Sequence, residues 1–197
     1  MNTRTYCARL KMKIKKLRIL AVGALALAAL VLVFLRYGLS WMLPLGWAVA
    51  AVLLVVAVID FDTREIPDKW VLALVPLAVA AVWAQPEVNL LSRGIGFLAV
   101  SLPMLGLAVL INGAFGGGDI KLMAVCGFLL GWQRVLLAFF IAVLLAGCWI
   151  GYLFARGRAK RGQHIAFGPA LCAGVFAALL YGNEIISWYV GWLMFYA

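Results

Sequence analysis

The stretch ILAVGALALAALVLVFL, residues 19–35, follows MNTRTYCARLKMKIKKLR, residues 1–18, which carries seven Lys/Arg and no acid. Its length decides between two readings. A secretory signal has an apolar core of about 7–15 residues and ends at a small-x-small cleavage site. The run here is longer, and the residues around Leu35 hold no such site. It reads as a retained first membrane helix, close to the ~20 residues that cross a hydrocarbon core. Apolar stretches recur at 41–59, 70–83, 94–111, 120–132, 135–154, 167–180 and 185–196. Several are too short to span upright and are expected to be partial or buried in the bundle.

Composition agrees. Of 197 residues 67% are hydrophobic and only 12% charged, far from the balance of a soluble domain. The expected fold is all-α, a polytopic membrane helix bundle of about six to eight transmembrane or partial helices. Residues 1–18 form a basic cytoplasmic segment in this reading, and 19–197 a single transmembrane domain. The four cysteines, at 7, 126, 148 and 172, include no C-x-x-C pair, so neither a zinc site nor a disulfide framework is expected.

The net charge of +10 has two readings, nucleic-acid binding or membrane orientation. With the N-terminus in the cytoplasm and the spans alternating, fourteen of the seventeen Lys/Arg fall on the cytoplasmic side, and Arg36, Arg93 and Arg134 on the other. That is the asymmetry of the positive-inside rule. A soluble basic surface for nucleic acid is absent from the pattern, and no nucleic-acid partner is expected.

The same alternation brings two polar islands to one face. The first is VIDFDTREIPDKW, residues 58–70; the second is GGGDIK, residues 116–121. Two spans separate them, one outward and one returning, so Asp60 and Asp119 emerge on the same side. Five of the seven acids, Asp60, Asp62, Glu65, Asp68 and Asp119, lie there, leaving Glu87 and Glu184 outside. Asp62, Glu65 and Asp68 read equally well as an ordinary solvated turn before Pro67. Asp119 is different, because glycines at 116, 117 and 118 allow close backbone approach; a glycine hinge is the structural alternative. A carboxylate at the hydrocarbon boundary is costly and points to function.

Two aspartates in a partly desolvated site cannot both ionise easily, so one keeps a proton while the other is charged. That pair can draw a proton from water and polarise a peptide carbonyl without any nucleophile from the protein. The single histidine, His164, has no apparent serine or cysteine partner for a triad. Two other uses of the carboxylates remain open at this point. One is a small non-enzymatic transporter with Asp60 and Asp119 as proton or cation sites. The other is a divalent-metal site on Asp60, Asp62 and Asp119.

At these residues the sequence resembles the type IV prepilin peptidases and, more distantly, the archaeal preflagellin peptidases. DFDTREIPD, residues 60–68, matches the family's aspartate followed by a threonine three later, Thr63, and then a proline, Pro67. GGGD, residues 116–119, is the GxGD box formed by Gly116, Gly118 and Asp119, followed by Lys121. HIAFGPA, residues 164–170, resembles the C-terminal signature in which Phe167, Gly168 and Pro169 enter a late helix. The resemblance covers about residues 41–182. The tyrosine-aspartate and PAL segments of presenilin-like and signal peptide peptidases are missing.

The resemblance implies a GxGD aspartic endopeptidase of the bacterial inner membrane, with Asp60 and Asp119 catalytic, no cofactor and no metal. Asp62 is the competitor for the first role. The implied partners are membrane lipid and prepilin or pseudopilin substrates, whose short basic leader ends in glycine before an apolar helix. Asp62, Glu65 and Asp68 are expected to attract that leader. Family members that also methylate the new N-terminus carry a long cytoplasmic region near the amino end, usually with paired C-x-x-C motifs; here only RYGLS, residues 36–40, joins the first two apolar runs. A short, peptidase-only form is therefore expected. Purified protein supplied with a methyl donor should release a mature product that is unmethylated by mass spectrometry; a methyl increment dependent on this chain would overturn the expectation.

Overall fold

The computed structural model describes residues 3–111, 115–157 and 166–196. Their regular structure is helical throughout: α1 (Thr3–Tyr37), α2 (Met42–Thr63), α3 (Asp68–Ala84), α4 (Leu90–Ala99), α5 (Ser101–Leu110), α6 (Gly117–Leu130), α7 (Trp132–Ala155) and α8 (Gly168–Tyr196). The basic amino-terminal stretch is the first part of α1, continuous with the apolar run. Five segments are long and apolar enough to cross a membrane: α1 from Lys16, α2, α4 with α5, α7 and α8. The protein is a multi-pass membrane helix bundle.

Helices α4 and α5 form one such segment, Leu90–Leu110, broken at Val100. Pro103 is the cause. Its ring displaces the carbonyl four residues back, that of Ala99, and it offers no N–H. Ser101 Oγ donates to the Phe97 carbonyl at the break.

Helix α6 is too short to be a span. At 14 residues it is about 21 Å long, less than the ~30 Å of a hydrocarbon core. Leu122, Met123, Cys126, Leu129 and Leu130 are buried on it, against α3, α4 and α7. Ending inside the bundle leaves its last carbonyls without helical donors. Arg93 supplies them. This wholly buried side chain donates to the carbonyls of Phe128 (3.2 Å) and Leu129 (2.9 Å) on α6. It also donates to Ala81 (2.8 Å) and Gln85 (3.0 Å) at the end of α3, and to Val88 (3.2 Å). One cation thus faces the negative ends of two helix dipoles.

Arg134 and Arg36 act similarly on α8. Arg134 Nε donates to Asn183 Oδ1 (2.7 Å) and Nη1 to Gln85 Oε1 (3.1 Å). Arg36 Nε donates to the Leu180 carbonyl (2.6 Å), and its guanidinium pairs with Glu184. These contacts correct one expectation. The polar residues after 180 do not divide two helices; α8 runs unbroken through them, because Asn183 and Glu184 have partners on α7 and α1.

Helices α4 and α6 meet backbone to backbone. A Cβ on Gly96 would lie 2.4 Å from the Gly127 carbonyl oxygen, and one on Gly127 would lie 2.0 Å from that of Gly96. Small residues permit this approach inside membranes. Gly96→Ala and Gly127→Ala are each expected to destabilise the protein by about 1–3 kcal/mol, the usual cost of overpacking. Gly94→Ala and Gly106→Ala, where a new methyl meets nothing within 4 Å, should leave stability unchanged or raised. Thermal unfolding in detergent distinguishes the pairs.

Candidate active site

The last turn of α2 carries Asp60, which is 4% exposed. The helix stops three residues later. Thr63 Oγ1 lies within hydrogen-bonding distance of the Ile59 carbonyl (2.9 Å) and the Glu65 carbonyl (3.1 Å). Arg64 takes the left-handed conformation at φ 58° and donates its N–H to the Asp60 carbonyl, an αL termination. The chain then extends through Ile66 to Pro67, whose φ of −67° precedes the first turn of α3.

Ile66 is buried and lies on the GxGD box. A Cβ on Gly118 would sit 2.8 Å from Ile66 Cβ and 2.9 Å from its carbonyl oxygen. The second glycine of the box is thus required by the DFDTREIPD segment. Gly116 is the N-cap of α6, and its N–H donates to Asp119 Oδ2 (3.3 Å). A carboxylate in the first turn suits the positive end of the helix. The other oxygen, Asp119 Oδ1, is buried and has no hydrogen-bond partner among the described residues.

Helix α8 brings the third motif. The Gly168 N–H donates to Asp60 Oδ2 at 3.0 Å, and a Cβ on Gly168 would lie 2.6 Å from that oxygen. Any larger residue would occupy the carboxylate's place. Phe167 stacks near Phe115 and Phe139, with centroids 5.8 and 6.5 Å away, which fixes the entry of α8. Pro169 follows in the first turn, where a missing N–H costs nothing. His164 lies outside the described residues.

The Asp119 carboxyl also senses Asp60. Asp119, outside the five spans, has its pKa raised to about 6, chiefly by burial and further by the charge on Asp60, against the opposing Gly116 N–H. One carboxylate holding an amide and another retaining its proton can together activate water and a carbonyl. Among the described residues, no three His, Cys, Asp or Glu side chains are grouped to hold a metal ion.

The remaining acids of the first motif are engaged at the surface. Asp62 pairs with Arg18, and Asp68 accepts from Lys121 Nζ at 2.8 and 2.9 Å. Glu65 is exposed. Sequence reasoning missed Ile66, Arg18 and Phe61, and it had no physical reason for Gly168. The one available signal was that Ile66 is the apolar residue inside an otherwise polar turn.

The type IV leader peptidase family model matches residues 47–151, which include Asp60 and Asp119. A prepilin leader peptidase/N-methyltransferase of Bacillus subtilis is 35% identical over 160 residues, 79% of this chain and 63% of the relative. Proteins of the same name from Pseudomonas aeruginosa and Pseudomonas putida are 32% and 31% identical, covering 79% and 92% of this chain. They are matched over 55% and 64% of their own lengths, so the chain spans less than two thirds of each of these relatives. No solved structure matches. The match over more than half of the chain, with the geometry of its two aspartates, establishes that this protein belongs to the type IV leader peptidase family.

Proposed function

We propose that this chain is a membrane aspartic endopeptidase that removes the short basic leader of type IV prepilin-like proteins, with Asp60 and Asp119 as its catalytic pair. The observation that carries the reading is the Gly168 N–H bond to Asp60, with Asp119 keeping a buried oxygen that has no partner among the described residues. It joins three motifs that the chain holds far apart. Family membership supports the same chemistry, and it gives no support to a transporter. The Lys/Arg asymmetry supports an N-terminus and catalytic pair at the cytoplasmic face of the bacterial inner membrane. Residues 19–197 then act as one peptidase domain, with the basic segment 1–18 in the cytoplasm.

In this mechanism the Gly168 N–H holds Asp60 Oδ2 and orients the carboxylate that acts as base. Asp60 takes a proton from a water whose oxygen attacks the scissile carbonyl carbon. Asp119 donates its proton to the carbonyl oxygen, giving a neutral tetrahedral diol. Collapse breaks the C–N bond as the proton on Asp60 passes to the leaving nitrogen, and one hydroxyl proton returns to Asp119. Water is the only co-reactant. Asp62, Glu65 and Asp68 lie beside Asp60 in sequence and draw the basic leader toward the pair.

Asp60→Asn and Asp119→Asn should each abolish leader removal, read as a mobility shift of a co-expressed prepilin, while membrane insertion persists. Full activity of Asp119→Asn would end the reading, and near-normal cleavage by Asp60→Asn would move the first role to Asp62. The second expectation concerns pH. Because the reaction needs a proton on Asp119, whose pKa is raised to about 6, kcat/KM should fall as pH rises through that value. A profile flat from pH 5 to 8 would contradict the assignment.

A further inference from the structure

Arg18 stands where the basic part of α1 gives way to the apolar part. Its guanidinium pairs with the Asp62 carboxylate and lies over the Phe61 ring, 6.0 Å from the centroid. Phe61 is 65% exposed although it adjoins the buried Asp60. A carboxylate on one side and an aromatic face on the other make a site for a cation. Both ionic partners are about half exposed, so the pair is weak and readily exchanged.

Helix α1 is fastened elsewhere. At its far end Arg36 binds the Leu180 carbonyl and Glu184, and Tyr37 Oη donates to the Leu179 carbonyl (2.7 Å). Trp47 Nε1 donates to the Leu30 carbonyl (3.1 Å). Among residues 16–37 of α1, Val33 is the only buried side chain. At the near end Arg18 meets Asp62 and Phe61 of α2. A basic segment entering an apolar helix, with its last cation on the acid two residues past Asp60, has the layout of the substrate proposed above.

We propose that Asp62 and Phe61 form the subsite for a cation of the substrate's leader, filled in the resting protein by Arg18, which an incoming leader displaces. This rests on the peptidase reading. Asp68 fits the role less well, because Lys121, two residues beyond Asp119, holds both of its oxygens. Asp62 projects from the side of α2 opposite to Asp60, two residues being about 200° of turn. The leader therefore crosses the end of the helix. A helix is about 10 Å across, which about three extended residues bridge, so the recognised cation lies about that far ahead of the cut.

The test compares a prepilin with a lysine-bearing leader and one with those lysines replaced by glutamine, using the full chain. Arg18→Gln should lower KM for the basic leader by about two- to fivefold, the range of an exposed pair, and not for the neutral leader. Asp62→Asn should raise KM for the basic leader and erase the difference between the two. Phe61→Leu, which keeps apolar bulk, should raise it in the same selective way. Equal shifts on both leaders, or no shift, would overturn the subsite. Fluorescence anisotropy of a labelled lysine-bearing leader peptide on the Asp119→Asn protein reads binding without cleavage. If the wild-type chain cuts no prepilin, the peptidase reading falls. The cation site then stands if Arg18→Gln tightens and Asp62→Asn abolishes peptide binding, and falls if neither does.

Discussion

Arg93 sets the depth of the bundle's innermost helix. Without its five carbonyl contacts, the ends of α3 and α6 would bury unsatisfied acceptors, each costing about 1–3 kcal/mol. With them, a helix too short to reach both membrane surfaces is anchored at the far side. The Gly96–Gly127 contact then leaves α6 no room to slide along α4. Its opposite end, with Gly118 against Ile66, is held in place by contacts made a helix length away.

Asp60 is fixed by a different set of elements. Helix α2 packs on α8, and α8 on α7, with Gly174 so near Ala138 that a Cβ would lie 2.2 Å from its carbonyl oxygen. Arg134 bonds to Asn183 at the far end of this group. The helices that hold Asp60 and those that hold Asp119 share one hydrophobic core, so the relation between the two carboxyls is set by packing across the whole bundle.

Much of this was legible in the sequence, and the failures share one cause. Apolar runs located the membrane segments, and the Lys/Arg asymmetry brought Asp60 and Asp119 to one face before any motif was considered. Hydropathy misjudged α8, because Asn183 and Glu184 resemble a loop until their partners, 49 and 148 positions away, are known. The three arginines on the far side were counted as exceptions to a rule; they are instead the side chains that hold helix ends together there. Gly118 was singled out by family pattern and as one of three glycines that allow close approach, and Gly168 by family pattern alone. The neighbours that forbid a side chain at each, Ile66 and Asp60, are brought close only by folding.

The two faces of the bundle differ in how their charges meet solvent. On the far side Arg93 is fully enclosed and Arg134 nearly so, and counter-ions have little access to either. On the side of the aspartates, Arg18 with Asp62 and Lys121 with Asp68 are half exposed or more, well within reach of screening that extends over about 8 Å at physiological ionic strength. Raising salt therefore loosens the charge pairs around the aspartates, and Arg36 with Glu184 on the opposite face, while the enclosed Arg93 and Arg134 keep their grip.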